Sequence, residues 1–232
     1  MTVQEQIEGW VNLTPNSFKV KTIVDNGNGT ATVNVCNTAW AMVHKKITMS
    51  GTEYKIVSIV RDTSITVTGL PSGDSYSVSI PFFTYGTPKQ VDVEREFKRE
   101  GGTKVTPMIY LFAPVTETKN HNPLSPIDKT INFVMSVLAD YEDDSFTEEI
   151  VEYSVKAMRK LSDSIIDTIK KQIGEVDPDT ITQTVKEYPK YAQYFDKSGA
   201  TKNIFSEKLS GVENNLTISL KIKDNCVNLC NY

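Results

Sequence analysis

The stretch from Thr147 to Gly174 constrains this chain more than any other. Ile150, Val151, Val155, Met158, Leu161, Ile165, Ile166, Ile169 and Ile173 recur there at helical spacing and form one apolar stripe. Thr147 is placed as an N-cap, and Glu148 and Glu149 fall in the first turn, where the helix dipole favours anions. Lys170 and Lys171 close the last turn and Gly174 stops it. Such a helix runs for about seven turns, at roughly 1.5 Å per residue. Its stripe must be covered by a sheet or a second helix. The phase sets Leu161 and Ile165 against a strand at Met108 to Phe112 and puts Ser162 on the opposite face.

Ahead of this helix the pattern is different. Phe18, Val20, Thr22 and Val24 alternate with polar residues, the period of a half-buried strand. Asn26-Gly27-Asn28-Gly29 then supplies a hairpin turn, because both residue types tolerate positive φ. Thr30 to Cys36 alternates again. Ile47 to Ser50, Glu53 to Val60, Ser64 to Thr68 and Tyr76 to Pro81 continue as short strands between polar turns. Close spacing of this kind predicts a small β-barrel or sandwich. Trp40 is expected at the edge of its core.

The character changes at Phe82. Thr87 as N-cap and Pro88 at the first helical position start a helix that ends near Gly101-Gly102. Met108-Ile109-Tyr110-Leu111-Phe112 is a continuous apolar run, suited to a central strand buried on both faces. Ala113 to Asp128 reads as a loop, Lys129 to Leu138 as a strand, and Asp140 to Asp144 as a solvated acidic turn. Pro178 to Tyr194 is expected as a shorter helical region broken by Pro189. Leu209 to Leu220 alternates as a strand, with Val212, Leu216, Ile218 and Leu220 on one face. Residues Thr2 to Trp10 are read as one or two helical turns, too short to fold alone.

These elements predict an α+β fold: a mixed sheet packed on a long amphipathic helix, with a small all-β barrel or sandwich inserted near the N-terminus. The division is 1–16 and 82–232 for the α+β domain and 17–81 for the insertion. A chain of 232 residues has room for both.

Little in the chain is chemical. A net charge of −4 gives no electrostatic basis for nucleic-acid binding, and no apolar run is long enough to span a membrane. The first ten residues lack a basic region followed by an apolar one, so no secretory signal is read there. Cys36, Cys226 and Cys230 are then expected as reduced thiols, and the sequons at Asn12, Asn28 and Asn215 carry no weight. His44 and His121 stand alone, without the partners a zinc site or a nucleophilic triad needs. DYEDDS lacks the spacing and central glycine of a calcium loop, and GNGT is a hairpin turn rather than a phosphate loop. The expectation is a protein that is not an enzyme, with no catalytic, cofactor-binding or metal-binding residues.

Several segments taken together resemble a known class. Phe82-Phe83-x-Tyr85-Gly86-x-Pro88 precedes a helix, Pro107-x-Ile109-x-Leu111 follows, the long helix comes next, and Leu209-Ser210-Gly211-Val212-x-x-x-Leu216 stands near the end. This order resembles the structural proteins of the neck and tail of tailed bacteriophages: tail-completion or tail-terminator proteins first, head-to-tail connector ring proteins next. The β block is an addition to the compact terminator pattern. The resemblance implies a virion protein made in the bacterial cytoplasm. It would assemble with itself as a ring of six or twelve copies and bind other neck and tail proteins, but not a membrane or a specific nucleic-acid sequence. A strand edge of the α+β layer and the loop Val115 to Asp128 would then be contact surfaces. A reading from another class makes the β block a carbohydrate- or protein-binding module, with Trp40, Tyr54 and Tyr76 as an aromatic platform.

Overall fold

The computed structural model describes residues 2–121, 125, 127–141, 147–172, 176–195, 197–198 and 200–221. Helix α1 (Val3–Asn12) opens the chain; Thr2 and Glu5 close a capping box at its start. Six strands follow: β1 (Ser17–Asp25), β2 (Thr30–Val35), β3 (Lys46–Met49), β4 (Thr52–Val60), β5 (Ser64–Thr68) and β6 (Ser75–Ser77). They pair as a closed barrel in the order β1-β2-β5-β4-β3-β6. Alternation makes this possible: Ala31, Val33 and Val35 of β2 and Ile65 and Val67 of β5 point inward and are buried, while their neighbours face out. The first and last strands pair with each other, Ser17 opposite Ser77, so the chain enters and leaves the barrel at one place.

Then come β7 (Phe82–Gly86), α2 (Pro88–Glu100), β8 (Met108–Phe112), β9 (Thr116–Lys119) and β10 (Ile127–Asp140). Helix α3 (Thr147–Ile150) leads through a π-helical segment, Val151–Val155, into α4 (Lys156–Lys170). A short 3₁₀ turn, Pro178–Thr180, precedes β11 (Thr182–Tyr191), β12 (Gln193–Phe195), β13 (Thr201–Asn203) and β14 (Leu209–Lys221). The main sheet has the order β11-β14-β10-β8-β7, with β9 also on β10. All pairs are antiparallel except β7 with β8, which α2 joins as a crossover. The fold is mixed α+β.

Helices lie on both faces of this sheet. Helix α4 contacts β10 and β14, and α1 contacts α4 and β7. Leu161 and Ile165 of α4 are fully buried in a cluster that also holds Ile109 and Leu111 of β8 and runs on into the barrel residues. Val91 of α2 belongs to a second cluster with Met108, Tyr110, Leu138, Tyr191 and Phe205. Successive residues of β8 therefore serve different cores, as its unbroken apolar run requires.

Four expectations need correction. The helix beginning at Thr147 is not uniform: its second turn widens into the π segment, which places Ser154 against Ser210 at 2.6 Å between hydroxyl oxygens. Ser162 is not on an exposed face. It is fully buried and donates to Asn214 Oδ1 at 3.0 Å, because α1 and the sheet together cover a wider arc of the helix than one apolar stripe. Pro178 to Tyr194 is mostly strand: β11 is an edge strand, and such a strand needs few apolar residues and tolerates Pro189 beside its register shift. The loop after Ala113 contains β9, which pairs with β10 as a hairpin. Ile173 and Gly174, the acidic run 142–144, and Cys226 and Cys230 lie outside the described residues.

Candidate functional site

Where the barrel meets the sheet there is a cleft of about 300 Å³. Its floor is apolar: Trp40, Met42 and Val78 from the barrel and Pro107 from the approach to β8. The Trp40 indole N–H donates to the Ser79 carbonyl at 3.0 Å, which holds the ring edge-on to Phe18 and only 2% exposed. The rim is cationic. His44, Lys45 and Lys46 come from the turn into β3, where His44 adopts φ 67°, and Lys104 comes from the segment after α2.

The lysines are held by two carboxylates. Lys45 Nζ lies 2.5 Å from Asp140 Oδ2 at the end of β10, an ion pair that crosses the seam. Burial alone would raise the Asp140 carboxyl. The Lys45 ammonium and a hydrogen bond from the Thr106 hydroxyl outweigh it and hold the group below its ordinary value. Lys104 and Lys46 share Glu53, at 2.6 and 2.7 Å, and bring its carboxyl down to about 2. Lys104 lies 58 residues beyond the adjacent Lys45 and Lys46, so this convergence has no local signature.

A second tie crosses the seam at the π segment. Arg61, in the β4–β5 turn, donates through Nη1 to the Ala41 carbonyl at 2.7 Å. Its Nη2 donates to the carbonyls of Glu152 and Tyr153, each at 3.4 Å. A π segment leaves backbone carbonyls without their regular helical partners, and a guanidinium is suited to collect them. Lys160 adds an ion pair to Asp62 beside it. We expect Arg61→Ala to cost about 2 kcal/mol, the scale of hydrogen bonds from a charged donor, as a lower urea midpoint. An unchanged midpoint would show that Arg61 does not join the two parts.

Three other surfaces stand out. Among the described residues no strand pairs with the outer edge of β7 or of β11, so the main sheet is open on both sides. Val93 and Phe97, one turn apart on α2, are 60% and 73% exposed and line a groove with Gln90 and Glu94. The β9–β10 hairpin, closed by the Asn120 N–H on the Asp128 carbonyl, is exposed along all of β9. It falls within the loop read as a contact surface.

The aromatic platform is not assembled. Trp40 and Tyr76 are 2% and 1% exposed, and the Tyr76 hydroxyl is bonded to the Asn37 carbonyl inside the barrel end. Tyr54 is half-buried on β4. His44 and His121 lie apart, Cys36 is exposed and free, and no cluster of His, Cys, Asp or Glu suited to a metal occurs among the described residues. No helix is long and apolar enough to cross a membrane. The chain matches no family model, no curated protein and no solved structure.

Proposed function

We propose that the chain is a structural subunit of the neck or upper tail of a tailed bacteriophage, acting at tail completion or termination and assembling as a ring of its own copies. The observation that carries this reading is a sheet whose two edge strands, β7 and β11, have no strand paired on their outer side among the described residues. Unpaired strand edges invite another chain, and a β7 edge meeting a β11 edge is a heterologous contact, the kind that closes into rings. Exposed apolar residues flank both edges: Val93 and Phe97 above β7, Tyr194 and Ile204 beyond β11. In this reading the long helix and the sheet it covers form the rigid body of each subunit. The β9–β10 hairpin and the barrel are left free to meet other neck and tail proteins. A connector ring is the second assignment within the same class, and six or twelve copies suit either.

Light scattering on the purified chain tests self-assembly, and mass spectrometry of purified particles tests the virion assignment. A chain that stays monomeric at high concentration, or is absent from particles, would end the proposal. Val93→Glu with Phe97→Glu is expected to shift the oligomer towards monomer. Both side chains are exposed, so the change in melting temperature of the isolated subunit should correspond to less than about 0.5 kcal/mol. An oligomer indifferent to both charges would remove α2 from the interface.

A further inference from the structure

We propose that Asn28 and Gly29 form a self-modifying site, at which the Gly29 backbone nitrogen cyclises onto the Asn28 side chain and the ring then opens to aspartate or isoaspartate. The inference stands apart from the assembly reading.

The turn between β1 and β2 holds two Asn-Gly pairs, Asn26-Gly27 and Asn28-Gly29, all four residues exposed. Glycine has no side chain to shield the backbone nitrogen that must attack, so the sequence alone favours both pairs equally. The structure tells them apart. The Gly27 N–H donates to Asp25 Oδ1 at 2.9 Å. Asn26 Nδ2 donates to the Thr30 hydroxyl at 3.0 Å, and Asn26 Oδ1 accepts from the Thr32 hydroxyl at 3.2 Å. Nucleophile and leaving group are both tied down in the first pair. In the second, neither the Gly29 N–H nor Asn28 Nδ2 has an acceptor among the described residues.

The Asn28 amide oxygen is engaged instead. It accepts from the Thr30 N–H at 3.2 Å and from the Thr30 hydroxyl at 2.6 Å. Negative charge develops on that oxygen when Cγ is attacked, so the two donors stand where an oxyanion hole places them. The bond from Asn26 Nδ2 leaves the Thr30 hydroxyl its proton for Asn28 and polarises it. A Cβ built on Gly29 would meet nothing within 4 Å, which leaves room for a ring.

The steps balance without an oxidant. The Gly29 nitrogen gives its proton to water and bonds to Asn28 Cγ. The Cγ–Nδ2 bond breaks, and Nδ2 takes up a proton and leaves as ammonia. Water then opens the succinimide at either carbonyl. Attack at Cγ gives aspartate; attack at the main-chain carbonyl gives isoaspartate, which adds a methylene to the backbone. Either product adds a negative charge to the chain's −4. Isoaspartate also lengthens the turn whose Gly29 carbonyl accepts from the Gly69 N–H at 2.7 Å, the tie between this hairpin and β5.

The test is incubation of the full chain in mildly alkaline buffer, followed by digestion and mass spectrometry of the peptide from Thr22 to Lys45, with fragmentation to place the amide-to-acid conversion. Asn28 is expected to react at least about tenfold faster than Asn26, a modest fraction of what oxyanion donors contribute in a water-excluded site. The same chain in urea should show comparable rates at the two residues. Thr30→Val, which removes the hydroxyl, should slow Asn28 about tenfold, and Thr30→Ser, which keeps it, should restore the rate. Equal rates in the folded chain, reaction chiefly at Asn26, a preference that persists in urea, or an Asn28 rate unmoved by Thr30→Val would each overturn the inference. Aspartate without isoaspartate would overturn the cyclisation in favour of direct hydrolysis.

Discussion

Gly211→Ala is expected to cost at least about 4 kcal/mol, a large part of the roughly 5–15 kcal/mol that holds an ordinary domain folded. Gly211 lies in β14 opposite Leu138 of β10 and Tyr188 of β11, at φ +155°. A Cβ built there would sit 2.0 Å from the Val137 carbonyl oxygen and 3.0 Å from the Leu138 Cα. Both are backbone atoms of the neighbouring central strand, so no side-chain rotation relieves the clash. Relief requires β10 and β14 to separate at the middle of the sheet, where residues on both faces are buried. Gly9→Ala in α1 is the control: a Cβ there meets nothing within 4 Å, and alanine should stabilise the helix by about 0.5–1 kcal/mol. Urea unfolding of the two variants reads the contrast. If Gly211→Ala unfolds at the wild-type midpoint, the close approach of the strands is wrong.

Leu161→Asp and Ser162→Asp are both expected to cost several kcal/mol, enough to lose the folded state in a marginal background. Leu161 is fully buried among apolar residues, and a carboxylate there has no partner. Ser162 fails differently. It belongs to a buried polar seam between α4 and the sheet, where Asn214 Oδ1 accepts from both Ser162 and Gln183, at 3.0 and 2.8 Å, and its amide donates to the Met135 carbonyl. Aspartate at 162 would set a negative charge against Asn214 Oδ1 and supply no proton. Asp167→Ala, whose side chain is 67% exposed, should change stability by less than about 1 kcal/mol. Thermal melts decide it: a Ser162→Asp protein as stable as Asp167→Ala would mean that the helix is rotated from its described position.

Why the apolar phase misplaces Ser162 is instructive. Hydrophobic periodicity finds only buried residues that are apolar, and this helix is also buried through Ser154, Ala157, Ser162 and Thr168. Those small residues let the sheet approach closely, and their hydroxyls are bonded, so polarity there marks packing rather than solvent. Strands β2 and β5 were legible because each has one buried and one exposed face, and β8 because it has none exposed; β1 was misread past Val20, where a bulge leaves Val24 50% exposed and packs Ile23 against the core instead. β11 was not, since seven of its ten residues are polar or proline and its apolar ones, Val185, Tyr188 and Tyr191, fall at helical spacing. The cleft was invisible for another reason. Lys45, Lys104 and Asp140 acquire meaning only when the turn into β3, the approach to β8 and the end of β10 come together, and no spacing in the sequence encodes that meeting.

The pairing of β10 with β14 also sets an order of events. Met135 and Asn214 are neighbours in the sheet but 79 residues apart in the chain. The barrel, in contrast, has hairpins for three of its six pairings, β1 with β2, β3 with β4 and β4 with β5, and its longest closure, Ser17 to Ser77, spans 60 residues. Contacts as distant as those of β10 with β14 must wait for loop closure, and folding rates fall as they come to dominate. On the ribosome the barrel is therefore expected to form first, while β8 and β10 emerge with apolar faces and no β14 to flank them. Synthesis stopped anywhere before Leu209 leaves the sheet without the strand that joins β10 to β11. In pulse-labelled nascent chains, protection of the barrel should precede that of the sheet, which should appear only once the last described strand has left the exit tunnel.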